Sequence, residues 1–354
     1  MIFTLGWLTL FSCPDFLWLI LKKGGTEMAV TIKDVARLAE VSPSTVTRVI
    51  QDKPSISQAT KKRVRQAMET LNYHPNFNAR SLASNKTNVI GVVLPRDTDA
   101  FYQNSFFPEV IRGISQIAAD HHYLIQLCTG KDDEQRLKIL KDTILGRRVD
   151  GIIFLYGETD DSLVELAIEQ EFPSVVIGKS LSPFISFVDN NNEKAGYDAT
   201  EYMIQEGCSS IAFVSGRHQL FVSQDRLIGY QRALEHYHIP FKEGLISHVG
   251  EFTRERGYQT MKSIIERESI DGVVTTDALI TEGALRYLNE QKISLPVITF
   301  DSNPPLLPMT AYVNIHTLEL GRSAFEMLLK VIDSYNDKQI MCYRTFVEHS
   351  IIRL

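Results

Sequence analysis

The sequence predicts a mixed α/β protein: a small helical head followed by a two-lobed core of doubly wound parallel sheets. Three observations predict it. Between Val30 and Leu82 apolar residues first recur at helical spacing and leave polar faces free. From Val89 onward, short Val/Ile/Leu runs alternate with amphipathic stretches, the pattern of strands covered on both faces by crossover helices. Val149-Asp150-Gly151-Ile152-Ile153 is echoed by Ile270-Asp271-Gly272-Val273-Val274. The alternation is therefore expected to form two similar halves, divided near Asp189. A length of 354 residues suits two or three domains.

Taken in order, residues 1–27 come first. Ile2 to Leu21 is an apolar run long enough to span a bilayer, followed by Lys22-Lys23. Asp15 near its middle costs roughly 2.5–3.5 kcal/mol on insertion, and the basic start and small-residue cleavage site of a secretory signal are missing. Three readings stand: a membrane anchor, a disordered tail, or codons upstream of a true start at Met28. The third is preferred, because Lys-Lys-Gly-Gly before Met28 is what a purine-rich ribosome-binding sequence would spell in frame.

Residues 28–75 read as a helix-turn-helix head. Ile32, Val35, Ala36 and Ala39 form one buried stripe and Val46, Val49 and Ile50 a second, with Val41 under the turn. Ser42 has the chemistry of an N-cap, and Pro43 fits the first helical position, where its missing N–H costs nothing. Ser44, Thr45, Thr47 and Arg48 remain on or near the free face. Short hydroxyls and one arginine suit close approach to a duplex, so Ser42–Gln51 is the candidate recognition element. Ser57 caps a third helix, about Gln58–Leu71, buried through Val64, Ala67, Met68 and Leu71. Residues 76–88 read as a hinge and linker. The segment 76–84 is too short to be a stable helix alone and is expected to order only with a partner and DNA.

Charge supports that division. The net charge of −6 argues by itself against nucleic acid, but from Met28 to Asn88 ten Lys/Arg face four Asp/Glu. The remaining 266 residues after Asn88 carry −12. A basic head on an acidic body places phosphate contacts at the head. Cys13, Cys128, Cys208 and Cys342 lack metal spacing and read as reduced cytosolic thiols.

In the core, residues 89–354, the expected strands are Val89–Pro95, Tyr123–Thr129, Gly151–Tyr156, Ser174–Gly178, Ile211–Ser215, Leu245–Val249, Gly272–Thr276 and Val297–Phe300. Helical stretches lie between them, near 107–121, 133–145, 162–171, 193–206, 225–236, 254–266 and 280–291. The N-lobe is expected over about 89–188 plus a late crossover segment, and the C-lobe over about 190–315. A ligand in such sheets sits beyond the carboxyl ends of the strands. His121-His122 and the His236/His238 pair read as surface histidines. No His-Glu-x-x-His, Gly-x-Ser-x-Gly or phosphate loop after a strand points to an enzyme.

Four phrases stand at the spacing of one family: Thr-Ile-Lys-Asp-Val-Ala at residue 31, Val-Ser-Pro-Ser-Thr-Val at 41, Asn-Tyr-His-Pro-Asn at 72 and Ala-Arg-Ser-Leu at 79. The chain thus resembles the LacI/GalR family of bacterial transcriptional repressors. The resemblance implies a periplasmic-binding-protein-like core, a homodimer, operator DNA as partner and a small sugar as effector, without other cofactor or metal. It implies Thr31 and Asn78 as phosphate contacts and Ala79, Arg80 and Leu82 in a DNA-binding hinge, with Leu82 wedged into a minor-groove step. In the cleft it implies Arg226 gripping the effector, Asp301 closing the site, Phe252 against the ligand ring, and Thr276-Asp277 at a strand end. On the N-lobe, Asp97, Phe101 and Tyr102 follow the first strand, and Lys179 stands where some relatives have an acid. The same residue types also fit interlobe ion pairs (Arg226, Asp301), core (Phe252) or solvated positions (Lys179, Asp97).

Narrower phrases, Asp-Ala-Phe-Tyr-Gln-Asn, Gly-Lys-Ser-Leu-Ser-Pro-Phe-Ile and Cys-Tyr-Arg, are most similar to maltose-operon repressors of Gram-positive bacteria, which implies maltose or a maltodextrin. The expected protein is cytoplasmic, with Phe106, Phe107 and Ile111 in a dimer interface. Rival readings are another sugar or metabolite for the same kind of repressor, a transporter's sugar-binding protein, or a membrane-tethered regulator.

Overall fold

The computed structural model describes residues 30–74, 86–95, 98–301, 308–337 and 341–354. They fall into two compact units, within 1–85 and 86–354. In the first, α1 (Ile32–Leu38), α2 (Pro43–Ile50) and α3 (Gln58–Thr70) enclose Val35, Ala36, Ala39, Val46, Val49, Val64 and Ala67. These are the apolar stripes of the sequence. Ser42 Oγ accepts from Thr45 N at 3.2 Å and Ser57 Oγ from Thr60 N at 3.3 Å, so both caps form. Each helix stops at a left-handed residue that is not glycine: Glu40, Asp52 and Asn72, with φ of 51°, 51° and 47°. The next N–H returns to a carbonyl five residues back (Val41 to Ala36, Lys53 to Arg48, Tyr73 to Met68, 2.8–3.0 Å), closing the last turn.

The second unit holds two six-stranded sheets. The N-lobe has β1 (Val89–Val93), β2 (Leu124–Cys128), β3 (Gly151–Phe154), β4 (Ser174–Ile177), β5 (Ser186–Asn190) and the late β11 (Arg344–Val347), in the order β2-β1-β3-β4-β5-β11. The C-lobe has β6 (Ile211–Ser215), β7 (Ile246–His248), β8 (Gly272–Thr275), β9 (Val297–Phe300), β10 (Ala311–Asn314) and β12 (Ser350–Arg353), in the order β7-β6-β8-β9-β10-β12. All pairings are parallel except β10 with β12. The common order starts 2-1-3-4-5, which puts a switch point between the first and third strands.

All eight expected runs are strands. Strands β5, β10, β11 and β12 are not among those expected runs, because their apolar residues are diluted by polar ones. Nor is the 20-residue helix Thr317–Asn336 among the expected helical stretches. The helices of this unit are α4 (Thr98–Gln103), α5 (Phe106–Asp120), α6 (Asp133–Leu145), α7 (Ser162–Glu169), α8 (Asn192–Gln205), α9 (Phe221–His236), α10 (Arg254–Arg267), α11 (Ala278–Glu290) and α12 (Thr317–Asn336). Although α12 follows a C-lobe strand, its Leu320, Ala324, Phe325, Leu328 and Val331 complete the N-lobe core.

Three helix pairs approach closely through reciprocal glycines. A Cβ on Gly113 would lie 2.2 Å from Leu318 O, and one on Gly321 2.1 Å from Val110 O, where α5 crosses α12. Gly196 and Gly229 do the same for α8 and α9, and Gly257 and Gly283 for α10 and α11.

The lobes are joined by three straps, at residues 190–192, 314–317 and 347–350. Asn190, buried at the end of β5, donates through Nδ2 to Ile315 O (3.1 Å) and Val347 O (2.8 Å). One side chain in the first strap thereby holds the other two.

Candidate functional site

On the first unit, Ser42, Ser44 and Arg48 of the recognition element lie at the surface, and Thr45 and Thr47 are half-buried. Several hydroxyls already have local partners. Ser42 Oγ lies 2.8 Å from Ser44 Oγ and 2.9 Å from Thr45 Oγ1, and Thr47 Oγ1 donates to Pro43 O at 3.1 Å. Arg48 has no ion pair among the described residues, and its guanidinium is the group left for a phosphate or base edge. Thr31, at the N-cap position of α1, donates N–H and Oγ1–H to Asp34 Oδ2 at 3.0 and 2.6 Å and remains exposed. Asp52 was passed over: Lys61 Nζ reaches its Oδ1 at 2.9 Å and its carbonyl at 3.1 Å, and Arg65 reaches Oδ1 at 2.9 Å. These bonds, Lys61's first, hold the Asp52 carboxyl below its usual range. Two of the basic residues of α3 thus brace the loop after the recognition helix. Asn78, Ala79, Arg80, Leu82 and Asp97 lie outside the described residues, as do residues 1–27.

In the second unit the carboxyl ends of both sheets face a cleft lined by residues of both lobes. Arg226, buried on α9, stands at its centre. Its Nε donates to Asn192 Oδ1 and its Nη1 to Thr276 O, both at 2.9 Å, while its plane covers Phe300. Burial pulls its pKa down to about 10, which leaves it charged at neutral pH. Asn192 turns its amide to Asp189 Oδ1 at 2.9 Å, which also accepts Asn190 N–H at 2.8 Å. Desolvation raises Asp189 to about 7 despite these bonds and the nearby Arg226. Thr276 Oγ1 is buried without a hydrogen-bond partner and lines the cleft, an unusual position for a hydroxyl in a folded protein.

The cleft walls are aromatic: Phe106, Phe107, Tyr156, Phe252 and Phe300. Phe252 enters because Gly216 has no Cβ; one there would sit 2.1 Å from its ring. Tyr156 is fixed from behind by Arg136, whose Nη2 donates to its hydroxyl at 2.5 Å and to Leu94 O at 2.9 Å. Rings for an apolar sugar face beside planar amide, carboxylate and guanidinium groups for its hydroxyls form a carbohydrate-type site.

The lobes touch across this cleft. Asn104 Nδ2 donates to Asp277 Oδ2 at 2.5 Å and Ser105 Oγ to Asp301 Oδ2 at 2.8 Å. Asp277 Oδ1 caps α11 through Leu279 N and Ile280 N, and burial raises the carboxyl to about 6. At the opposite edge Lys179 pairs with Asp225 (2.9 Å) and Arg217 with Glu158 (3.3 Å). Asp277 and Asp301 are therefore both cleft residues and interlobe ties.

Of the effector residues expected from sequence, Arg226, Phe252, Thr276, Asp277 and Asp301 come together. Lys179 stays at the edge in its ion pair. Two do not reach the cleft. Phe101, 3% exposed, belongs to the N-lobe core, and Tyr102, 69% exposed, points away; the α4 turn directs Asn104 inward instead. Phe106 and Phe107, expected in a dimer interface, line the cleft. Asn104, Ser105, Asp189, Asn190 and Asn192 were passed over, because short polar residues at strand and helix ends carry no periodic signal.

A basic helix-turn-helix followed by two lobes closing on a polar-aromatic cleft defines a ligand-regulated DNA-binding protein. Comparison with known proteins narrows the class. Residues 31–76 match the family "Bacterial regulatory proteins, lacI family", and residues 87–349 match "Periplasmic binding proteins and sugar binding domain of LacI family". The HTH-type transcriptional regulator MalR of Streptococcus pneumoniae serotype 4 is 54% identical over 327 residues, which are 92% of this chain and 99% of that relative. The transcriptional regulator CelR–cellobiose complex shares 26% identity with a TM-score of 0.69, covering 91% and 98% of the two chains. The Lac repressor dimer bound to operator and an anti-inducer, 22% identical, shares the fold with a TM-score of 0.76 over 92% and 98%. The chain belongs to the LacI family of bacterial regulators. Among the described residues no helix is long and apolar enough to cross a membrane.

Proposed function

We propose that this protein is a cytoplasmic, homodimeric repressor of maltose or maltodextrin utilisation genes, released from its operator when the sugar occupies the interlobe cleft, and that it is not an enzyme. The observation that carries the reading is the double use of Asp277 and Asp301. A sugar hydroxyl that takes either carboxylate replaces Asn104 or Ser105, so occupancy changes the ties between the lobes. A ligand shifts an equilibrium only through such differential contacts. A tenfold change in DNA affinity needs ~1.4 kcal/mol of difference, about one good hydrogen bond. The 54% likeness to MalR supports the choice of sugar. Homodimerisation is supported by the exposed apolar edge of the N-lobe, where Leu124 and Leu127 of β2 are 62% and 46% exposed.

Isothermal titration with glucose, maltose, maltotriose and longer maltodextrins, with and without a duplex from the region upstream of its own locus, tests it. Binding of a maltodextrin that lowers affinity for that duplex is the expected result. Equal affinity for that duplex and random DNA, or indifference to every sugar, overturns it.

A further inference from the structure

The internal echo of the sequence has a structural meaning, and it bears on the point at which the chain enters the core. In each lobe the aspartate of the Val/Ile-Asp-Gly turn clamps the start of the first strand. In the C-lobe, Asp271 accepts Ser209 N–H at 2.9 Å, Ser210 N–H at 2.8 Å and Ser209 Oγ–H at 3.0 Å. In the N-lobe, Asp150 Oδ1 accepts Thr87 N–H at 2.6 Å and Thr87 Oγ1–H at 2.8 Å, and Oδ2 accepts Asn88 N–H at 2.8 Å. The geometry is shared, but the clamped chain is not. At Ser209 the chain arrives from α8 of the same lobe. At Thr87 it arrives from the DNA-binding unit.

Other bonds complete the N-lobe clamp. Asn88 takes a left-handed conformation (φ 48°) and its carbonyl accepts Leu124 N–H at 2.8 Å. Val89 N–H donates to Thr87 Oγ1 at 3.2 Å. One carboxylate therefore satisfies three donors of the last linker residues, and charge-assisted bonds of this kind are the stronger ones.

We infer that Asp150 is a positioning residue for operator binding: it fixes the point and direction in which the linker leaves the core, without touching DNA or sugar. This rests on the reading of the protein as a sugar-responsive repressor. A linker freed at residues 87–88 must be reordered each time the head engages a duplex, and ordering costs about 1–2 kcal/mol per residue. The sugar cleft lies at the other ends of the strands and is not involved.

The test compares full-length Asp150→Asn with Asp271→Asn, its counterpart in the other lobe, and with Thr87→Val. Three quantities are read: affinity for the upstream duplex, maltose affinity by calorimetry, and amide exchange of residues 87–89. For Asp150→Asn we expect exchange at Thr87 and Asn88 at least tenfold faster, duplex affinity lowered about tenfold and maltose affinity within twofold. Thr87→Val should give a smaller loss in the same direction, and Asp271→Asn none. Unchanged exchange at 87–88, or equal loss of duplex affinity in Asp150→Asn and Asp271→Asn, overturns the inference. If the parent itself fails to select the duplex, the repressor reading falls, while the exchange comparison still reports on the clamp.

Discussion

The Arg226 guanidinium carbon lies 4.0 Å from the centroid of the Phe300 ring, with Asn192 and the Thr276 carbonyl holding its Nε and Nη1. A planar cation is thus held over an aromatic face, with N–H groups left to meet a ligand in the cleft that it lines.

Lysine cannot reproduce that arrangement, because an ammonium on a flexible stem neither forks nor stacks. Arg226→Lys should weaken sugar binding by at least tenfold, or about 1.4 kcal/mol, while DNA affinity without sugar stays near the parent's. Titration calorimetry and gel shift measure the two. Undiminished sugar affinity would remove Arg226 from the site.

Asp189 gives a pH dependence whose sign is fixed. In the unfolded chain an aspartate titrates near 3.9, whereas burial holds Asp189 protonated up to about 7. Between those values the folded state binds the extra proton, so stability falls as pH rises through the window and levels off above it. An asparagine amide at this position has no proton to lose. The stability of Asp189→Asn relative to the parent should therefore rise by roughly 2–4 kcal/mol between pH 4 and pH 8. Urea unfolding at several pH values checks this; a constant difference would contradict it.

Arg48→Ala should reduce affinity for the upstream duplex by a factor of ten or more, and by a smaller factor for random duplex if the side chain reads a base. If it meets a phosphate, both should weaken together and the salt slope should fall by about 1. Its side chain has no ion pair among the described residues, so circular dichroism of the variant should match the parent.

Glu40 ends α1 with φ 51° and makes no side-chain hydrogen bond among the described residues. Glycine adopts that conformation without the Cβ clash. Glu40→Gly should stabilise the head by about 1 kcal/mol, measurable as slower amide exchange in residues 30–74.

How much of this was legible beforehand depends on the kind of signal. Val/Ile/Leu runs and helical stripes announced β1–β4, β6–β9 and the head, because burial on both faces or along one stripe selects residues periodically. Strand β5, Ser-Phe-Val-Asp-Asn, was not legible: its polar residues are there to build the strap and the site. The helix glycines at 196 and 229 carry no such signal, since by propensity alone each is about 1 kcal/mol worse than alanine inside a helix. Only the approach of α8 to α9 shows that any Cβ there would strike backbone. Arg226 and Asp301 were found through resemblance, whereas Asn104 and Asn192 matter for what they touch, which no spacing reveals.

The grip of Asn190 on the two other straps has a mechanical consequence. A lateral slide of one lobe over the other would have to pull a buried amide off both carbonyls at once, whereas a swing about that knot leaves them joined. The two halves should therefore behave like a door on a single pintle: one angle describes the whole excursion, and any event at the mouth is felt along the same arc at the opposite rim.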